Sequence, residues 1–170
     1  LQMGASFYTL DRKADLLTEK CANDLIGWKS VDGALSSPIP YSVKNFDSAY
    51  QMLSTLGMDG FYRLSFNNGN TNFVTDVYPS LKTYLLKWSM ATNGLPERKE
   101  VFNKWTDWGD NEDVDITEDA LYYSACKAAV AMAKLLNIPS DVSLFQGRMN
   151  SIEANFDKTY WKPGVGYYSN

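Results

Sequence analysis

Residues 117–137 read TEDALYYSACKAAVAMAKLLN and carry the clearest helix signal in the chain. Alanine has the highest intrinsic helix propensity, and small residues recur through the middle of this stretch: Ala125, Ala128, Ala129, Ala131 and Ala133. Larger apolar residues lie among them: Leu121, Met132, Leu135 and Leu136. Because small side chains let helix axes approach closely, the pattern predicts a helix that is buried on most sides.

Helical periodicity continues downstream of this stretch. Asn137-Ile138-Pro139-Ser140 interrupts the first helix, and Ser140 or Asp141 begins a second. Apolar residues at a 4-3-4 spacing define the buried face of that second helix: Phe145, Met149, Ile152 and Phe156. The aromatic tail, 160–170, contains Pro163, Gly164 and Gly166, so we expect a loop or a short hairpin there.

Upstream, the sequence predicts three further helical regions. The first covers 11–28, with Asp11 as its cap and an apolar face formed by Leu16, Leu17, Cys21, Leu25 and Ile26. The second covers 43–57 and can run on to 66. The third covers 71–91, with a fresh start at Pro79 and a C-cap at Asn93-Gly94. With strand signals nearly absent and no fixed repeat, the chain is predicted to be all-α, built of antiparallel helical hairpins.

Composition excludes several classes of function. The 170 residues are 45% hydrophobic, carry a net charge of −4 and include no histidine. Ser/His and Cys/His nucleophilic sites and most transition-metal sites are thereby excluded, so catalysis would depend on carboxylates, tyrosines or lysines, with no cofactor or metal. The absence of a basic run argues against nucleic acid. No apolar run approaches the roughly 18 residues that span a membrane. Cys21 and Cys126 are expected to be buried, unpaired thiols.

The chemical signal is concentrated between the third helical region and the alanine-rich helix. Residues 105–115 read WTDWGDNEDVD, and 107–119 contain seven acids with no lysine or arginine. Carboxylates at this density repel one another, so we expect raised pKa values wherever the segment is partly buried. Glu118 and Asp119 are explained by a solvated helix start, where negative charge is favourable. A solvated helix start does not explain Trp105 and Trp108.

Two ligand-binding interpretations remain for this loop. Counting Asp107 as position 1 of an EF-hand places Gly109 and Glu112 where an acid and a glycine are needed, which excludes that motif but leaves an irregular calcium site open. Alternatively, Asp107-Trp108-Gly109-Asp110 fits a sugar subsite. Carboxylates accept hydrogen bonds from vicinal hydroxyls, tryptophan stacks on the sugar ring, and glycine allows close approach of the backbone.

The order of motifs resembles the catalytic domain of α-L-rhamnosidase-like six-hairpin glycosidases over about residues 28–169. The resemblance rests on the Asp107-Trp108-Gly109-Asp110 loop and on the segments that surround it: 35–40, 77–85, 119–123, 132–136, Arg148, Ile152, Phe156, Tyr160-Trp161 and 167–169. It implies an (α/α)6 toroid that hydrolyses glycosides by inversion, with two carboxylates roughly 6.5–9.5 Å apart. The substrate would be an oligosaccharide or another glycoside.

The resemblance also implies which residues bind the sugar. Asp107, Trp108 and Asp110 would lie in the −1 region, with Trp105 and Asp113 as weaker candidates. In such enzymes the general acid comes from an Asp/Arg/Glu-rich loop upstream and the base from a Glu beside tryptophans downstream. Neither segment is found in this chain, so we expect residues 1–170 to form a partial barrel in a single domain with little or no hydrolysis of its own.

The alternative is a non-catalytic helical module that binds carbohydrate or a protein partner. An incomplete barrel would expose apolar helix faces and would tend to self-associate through them. The resemblance further suggests a periplasmic or secreted setting, whereas the sugar and the linkage depend on loops that the motifs do not specify.

Overall fold

The computed structural model describes residues 13–35, 49–98 and 113–169. Within these ranges the chain forms six helices: α1 Lys13–Gly27, α2 Ala49–Leu56, α3 Phe61–Asn68, α4 Thr71–Leu86, α5 Val114–Leu135 and α6 Pro139–Tyr160. Two short antiparallel hairpins accompany them: β1 Trp88–Met90 with β2 Pro96–Arg98, and β3 Trp161–Lys162 with β4 Tyr167–Tyr168. The predicted all-α fold class is confirmed, as is the hairpin in the tail.

Helices α5 and α6 form an antiparallel pair with the most extensive contacts between any two described elements. Four alanines at the centre of α5, Ala125, Ala128, Ala129 and Ala133, are fully buried, and α5 also contacts α2, α3 and α4. The predicted burial on most sides is therefore confirmed. The helix begins at Val114 rather than at Thr117, which adds most of a turn at its N-terminus.

A tight turn joins α5 to α6. Asn137 adopts a left-handed conformation with φ of 55°, which asparagine tolerates better than most residues. The Ile138 N–H donates to the Ala133 carbonyl at 2.9 Å, the long hydrogen bond of a Schellman motif. Pro139 then begins α6, where its missing N–H leaves no helix carbonyl unpaired. The turn reverses the chain so that α5 and α6 lie side by side.

Helix α4 continues through Pro79, so the predicted fresh start at this residue is wrong. Pro79 is exposed, and so is Thr75, whose carbonyl would otherwise accept from residue 79. Water can therefore replace the lost hydrogen bond. Burial of Val77, Tyr78 and Leu81 on the opposite side holds the helix together, as tertiary packing commonly overrides local propensity.

The predicted extension of this helix to Ala91 is also wrong. Helix α4 ends at Leu86, and Trp88 to Met90 pairs with Pro96 to Arg98 in a hairpin. Asn93 and Gly94 form its turn: Gly94 has φ of +81°, and the Asn93 side chain accepts from the Leu95 N–H at 3.1 Å. Asn-Gly is a hairpin signal as well as a helix C-cap signal, and here the hairpin is formed.

The predicted apolar face of α1 is confirmed for Leu25, which is buried, and Ile26, which packs partly buried against the core, but it is wrong for its other three residues. Leu16 and Leu17 are 70% and 62% exposed, and Cys21 is exposed, whereas Thr18 and Ala22 are buried. Helix α1 therefore contacts α3 and α4 with Thr18, Ala22 and Leu25 as its buried residues. Asp11, its predicted cap, lies outside the described residues. Of the two cysteines expected to be buried, only Cys126 is.

The second predicted helix is divided in two. Helix α2 ends at Leu56, and α3 begins at Phe61 after a turn that contains Gly57 and Gly60. A Cβ atom at Gly60 would lie 1.7 Å from the Thr55 carbonyl oxygen, so no side chain fits there without a shift of the backbone. The predicted start of this region, 43–48, lies outside the described residues.

Two glycine substitutions should change stability in opposite directions. Gly60→Ala should destabilise the protein by about 1–3 kcal/mol, because the new methyl group overlaps the Thr55 carbonyl. Gly147→Ala should stabilise it by about 0.5–1 kcal/mol, since Gly147 lies within α6 with nothing within 4 Å of its Cβ position. Urea unfolding followed by circular dichroism measures both. Equal effects of the two substitutions would contradict the described turn.

Candidate functional site

Most residues predicted to bind sugar lie outside the described residues: Trp105, Asp107, Trp108 and Asp110. Asp113 is described and is the N-cap residue of α5. Its backbone carbonyl accepts from the Thr117 N–H and hydroxyl, each at 3.2 Å, and its carboxylate makes no capping hydrogen bond. Asp113 thus connects the acidic segment 105–112, which we call the acidic loop, to the first turn of α5.

Hydrogen bonds between α4 and α6 show in which relative direction these two helices run. The Tyr78 hydroxyl and the Lys82 ammonium group each donate to the Asp141 carboxylate at 2.8 Å. Seven residues further along both helices, Arg148 donates to the Leu85 carbonyl at 2.9 Å. Helices α4 and α6 are therefore parallel, with α5 antiparallel to α6. Helices α4 and α6 therefore stop, and α5 begins, at the same end of the bundle. We call this end the loop end.

Both β hairpins lie at the loop end. The Ser151 hydroxyl of α6 donates to the Gly94 carbonyl at 2.7 Å and holds the turn of the first hairpin. The Tyr168 hydroxyl donates to Asp157 at 2.9 Å and holds the second hairpin against the last turns of α6. The described elements on either side of the acidic loop, β2 and α5, therefore both belong to the loop end.

A buried tyrosine and an arginine connect the first hairpin to the helices. Arg148 Nη1 donates to the carbonyls of Leu85 and Trp88, at 2.9 and 3.1 Å, and to the Tyr122 hydroxyl. Tyr122 is fully buried and donates to the Leu85 carbonyl at 3.0 Å. A positive charge is favourable beside the last carbonyls of a helix. This network holds main chain at the end of α4 rather than a ligand.

The loop end also contains a buried carboxylic acid, Asp119, which is 3% exposed. The Tyr160 hydroxyl donates to it at 2.8 Å. Burial raises the pKa of Asp119 to about 7; the nearby Asp115 and Glu118 add to the increase, and the hydrogen bond from Tyr160 opposes it. Asp119 can therefore hold a proton close to neutral pH.

The expected solvated position of Asp119 is wrong, although the expected raised pKa in this acidic segment is confirmed there. Because α5 begins at Val114, Asp119 lies in its second turn and not in its first. It also shares one helical face with the buried Tyr122 and Cys126, at spacings of three and seven residues. That spacing is the sequence signal that would have identified it.

Tyr122 is fully buried, whereas the adjacent Tyr123 is not. Tyr123 is half-buried, and its hydroxyl donates to the Glu153 carboxylate of α6. Adjacent residues of an α-helix are separated by about 100° around its axis, so only one of these two tyrosines reaches the interior.

In the described part of the chain, no group of three or more histidine, cysteine, aspartate or glutamate side chains is placed to hold a metal ion. The acidic loop, for which an irregular calcium site was considered, lies outside that part. None of the helices in the described ranges has the length and apolar character needed to cross a bilayer.

The described part of the chain is built of helices, with α5 and α6 paired antiparallel and two short hairpins beside them. The family model described as the bacterial alpha-L-rhamnosidase 6 hairpin glycosidase domain matches residues 2–170. The chain belongs to this family, and the resemblance inferred from its motifs is confirmed. No curated protein and no solved structure matched the chain.

The raised pKa of Asp119 predicts that stability falls as the pH rises. In the unfolded chain Asp119 loses its proton near its ordinary pKa of about 3.9, whereas in the folded protein it keeps the proton up to about pH 7. The resulting stabilisation is complete below pH 4 and is lost as the pH rises through 7, by an amount on the order of 4 kcal/mol. Chemical unfolding between pH 4 and pH 8 measures this change.

Asp119→Asn is the matched test, because the neutral amide cannot lose a proton. It should flatten the dependence of unfolding free energy on pH, while Asp76→Asn, at an exposed position of α4, should leave the dependence unchanged. An identical pH dependence in the wild type and in Asp119→Asn would contradict the buried, protonated Asp119.

Proposed function

We propose that this chain forms part of the sugar-binding cleft of an inverting glycoside hydrolase, and that residues 1–170 belong to a single (α/α)6 catalytic domain. The family match over residues 2–170 carries the proposal, because it assigns the chain to a glycosidase domain. The positions of β2 and α5 support the acidic loop as the cleft segment, since these two elements flank it at the loop end.

In this proposal the acidic loop binds the sugar of the −1 region. Asp107 and Asp110 accept hydrogen bonds from vicinal hydroxyls, which are strengthened by the carboxylate charge. Trp108 stacks on the C–H face of the ring. Trp105 and Asp113 make secondary contacts, and Asp113 is suited to this because its backbone is already fixed at the start of α5.

The proposed reaction is hydrolysis with inversion. One carboxylic acid protonates the leaving oxygen while a carboxylate roughly 6.5–9.5 Å away activates water on the opposite face of the sugar. We assign neither role to a residue of this chain. Asp119 is buried against Tyr160, so it is given a positioning role: it holds the first turns of α5, and with them Asp113, against the end of α6.

Loss of the proposed sugar contacts should weaken binding of L-rhamnose. Asp107→Ala and Trp108→Ala should each raise the Kd by about tenfold or more, which corresponds to about 1.4 kcal/mol. Asp76→Ala and Trp28→Ala are matched controls at exposed positions elsewhere, and they should leave the Kd unchanged. Titration by saturation-transfer NMR measures the Kd. An unaltered Kd in both loop variants would exclude the loop as the sugar site.

Hydrolysis distinguishes the enzyme from the non-catalytic alternative. The intact enzyme that contains this chain should release 4-nitrophenol from 4-nitrophenyl α-L-rhamnopyranoside, and Asp107→Ala should reduce its kcat/KM by about tenfold to a hundredfold, because a −1 contact is lost in the transition state. Binding of rhamnose by that intact protein without any release of 4-nitrophenol would instead support a carbohydrate-binding helical module.

A further inference from the structure

A groove of about 320 Å³ lies between α5 and α6 on the half of the pair nearer the loop end. Its lining residues are Ala120, Tyr123, Ile152, Glu153, Phe156 and Asp157. Ile152 is buried, whereas Glu153 and Asp157 are exposed. The groove thus combines an apolar surface with two carboxylates, and ligand sites are characteristically mostly apolar with a few placed polar groups.

Both carboxylates are held in position by phenol groups. The Tyr123 hydroxyl donates to Glu153, and the Tyr168 hydroxyl donates to Asp157 at 2.9 Å. A carboxylate has about four acceptor sites, so one hydrogen bond leaves capacity for the hydroxyls of a ligand. Side chains that are already ordered lose less entropy on binding.

Exposed aromatic rings extend the groove onto the second hairpin. Trp161 and Tyr168, which lie opposite each other in this hairpin, are 41% and 42% exposed. The Tyr168 ring lies 5.0 Å from that of Trp161 and 5.7 Å from that of Phe156, between centroids, so the aromatic surface continues from the groove to the hairpin. Clustered exposed apolar groups of this kind often mark binding sites.

The chemistry of this surface favours a neutral sugar. Aromatic faces fit the C–H face of a pyranose ring, and Glu153 and Asp157 can accept hydrogen bonds from its hydroxyls. The same two negative charges repel phosphate, sulfate and uronic acid groups, as does the net charge of −4. An acidic ligand is therefore disfavoured.

The groove lies in line with the start of α5. Ala120 follows Asp113 by seven residues, which places the two positions on the same side of the helix and about 10 Å apart along its axis. The distance is short enough for one oligosaccharide to reach from Asp113 to the groove.

We propose that the groove and the aromatic hairpin form a second sugar-binding surface, which holds a neutral residue of an oligosaccharide beyond the one at the acidic loop. The identity of the ligand as carbohydrate rests on the proposed function. The surface itself rests on Trp161, Phe156 and Tyr168, together with the two carboxylates that the tyrosines hold in place.

The test compares a monosaccharide with a neutral disaccharide. L-Rhamnose and rutinose, α-L-rhamnosyl-(1→6)-D-glucose, are titrated by NMR into the full chain and its variants. Trp161→Ala and Glu153→Gln should each weaken rutinose binding by about fivefold or more and leave L-rhamnose binding unchanged. Trp28→Ala removes a tryptophan that is 45% exposed and directly follows α1, and it should alter neither Kd.

The outcomes separate this proposal from the proposed function. If Asp107→Ala and Trp108→Ala both leave L-rhamnose binding intact while Trp161→Ala weakens rutinose binding, the acidic-loop site is excluded and the groove is supported. If Trp161→Ala and Glu153→Gln leave the rutinose Kd unchanged, or if the wild type binds no rutinose, the groove proposal is overturned. It is also overturned if light scattering shows a dimer that Trp161→Ala dissociates, because a second copy then covers the surface.

Discussion

Four helices pack against α5, and they can do so because alanine leaves the helix backbone nearly bare on the sides that make contact. Ala125, Ala129 and Ala133 are fully buried, so the neighbouring axes can come close. Substituting a larger residue at any of these positions would push at least one neighbour away. The Schellman turn at Asn137 then returns the chain directly onto α5, and this pairing places the C-terminus of α6 beside the N-terminus of α5.

The fold class could be predicted from the sequence because the spacing of apolar residues indicates a helix whichever element it packs against. The predictions that were wrong concern features that depend on the packing partner. The large residues Leu16 and Leu17 suggested the buried face of α1, but small residues such as Ala22 allow a closer contact and are buried instead. Pro79 was expected to restart the helix, but α4 continues through it, with Thr75 and Pro79 both on the exposed side. Asn93-Gly94 is compatible with two structures, and only the pairing of distant strand residues selects the hairpin.

The site was predictable in part. The family could be inferred from the order of short motifs, and the acidic character of the segment before α5 led correctly to a carboxylic acid with a raised pKa. The residue was not foreseen, because burial of Asp119 depends on the true start of α5 and on Tyr160, forty-one positions away. Asp107 and Trp108 stay a prediction, since they lie outside the described residues. The aromatic groove could not be inferred at all, as it requires two helices and a hairpin to meet.

The two cysteines stand in contrasting surroundings. Cys21 is exposed on α1, whereas Cys126 is buried within α5, and burial raises the pKa of its thiol to about 12. Alkylating reagents attack the thiolate, so in the native protein they modify Cys21 first. They reach Cys126 only when α5 separates from its neighbours through local unfolding. The slower of the two labelling rates therefore reports how often the interior of this domain opens to solvent, without any introduced probe.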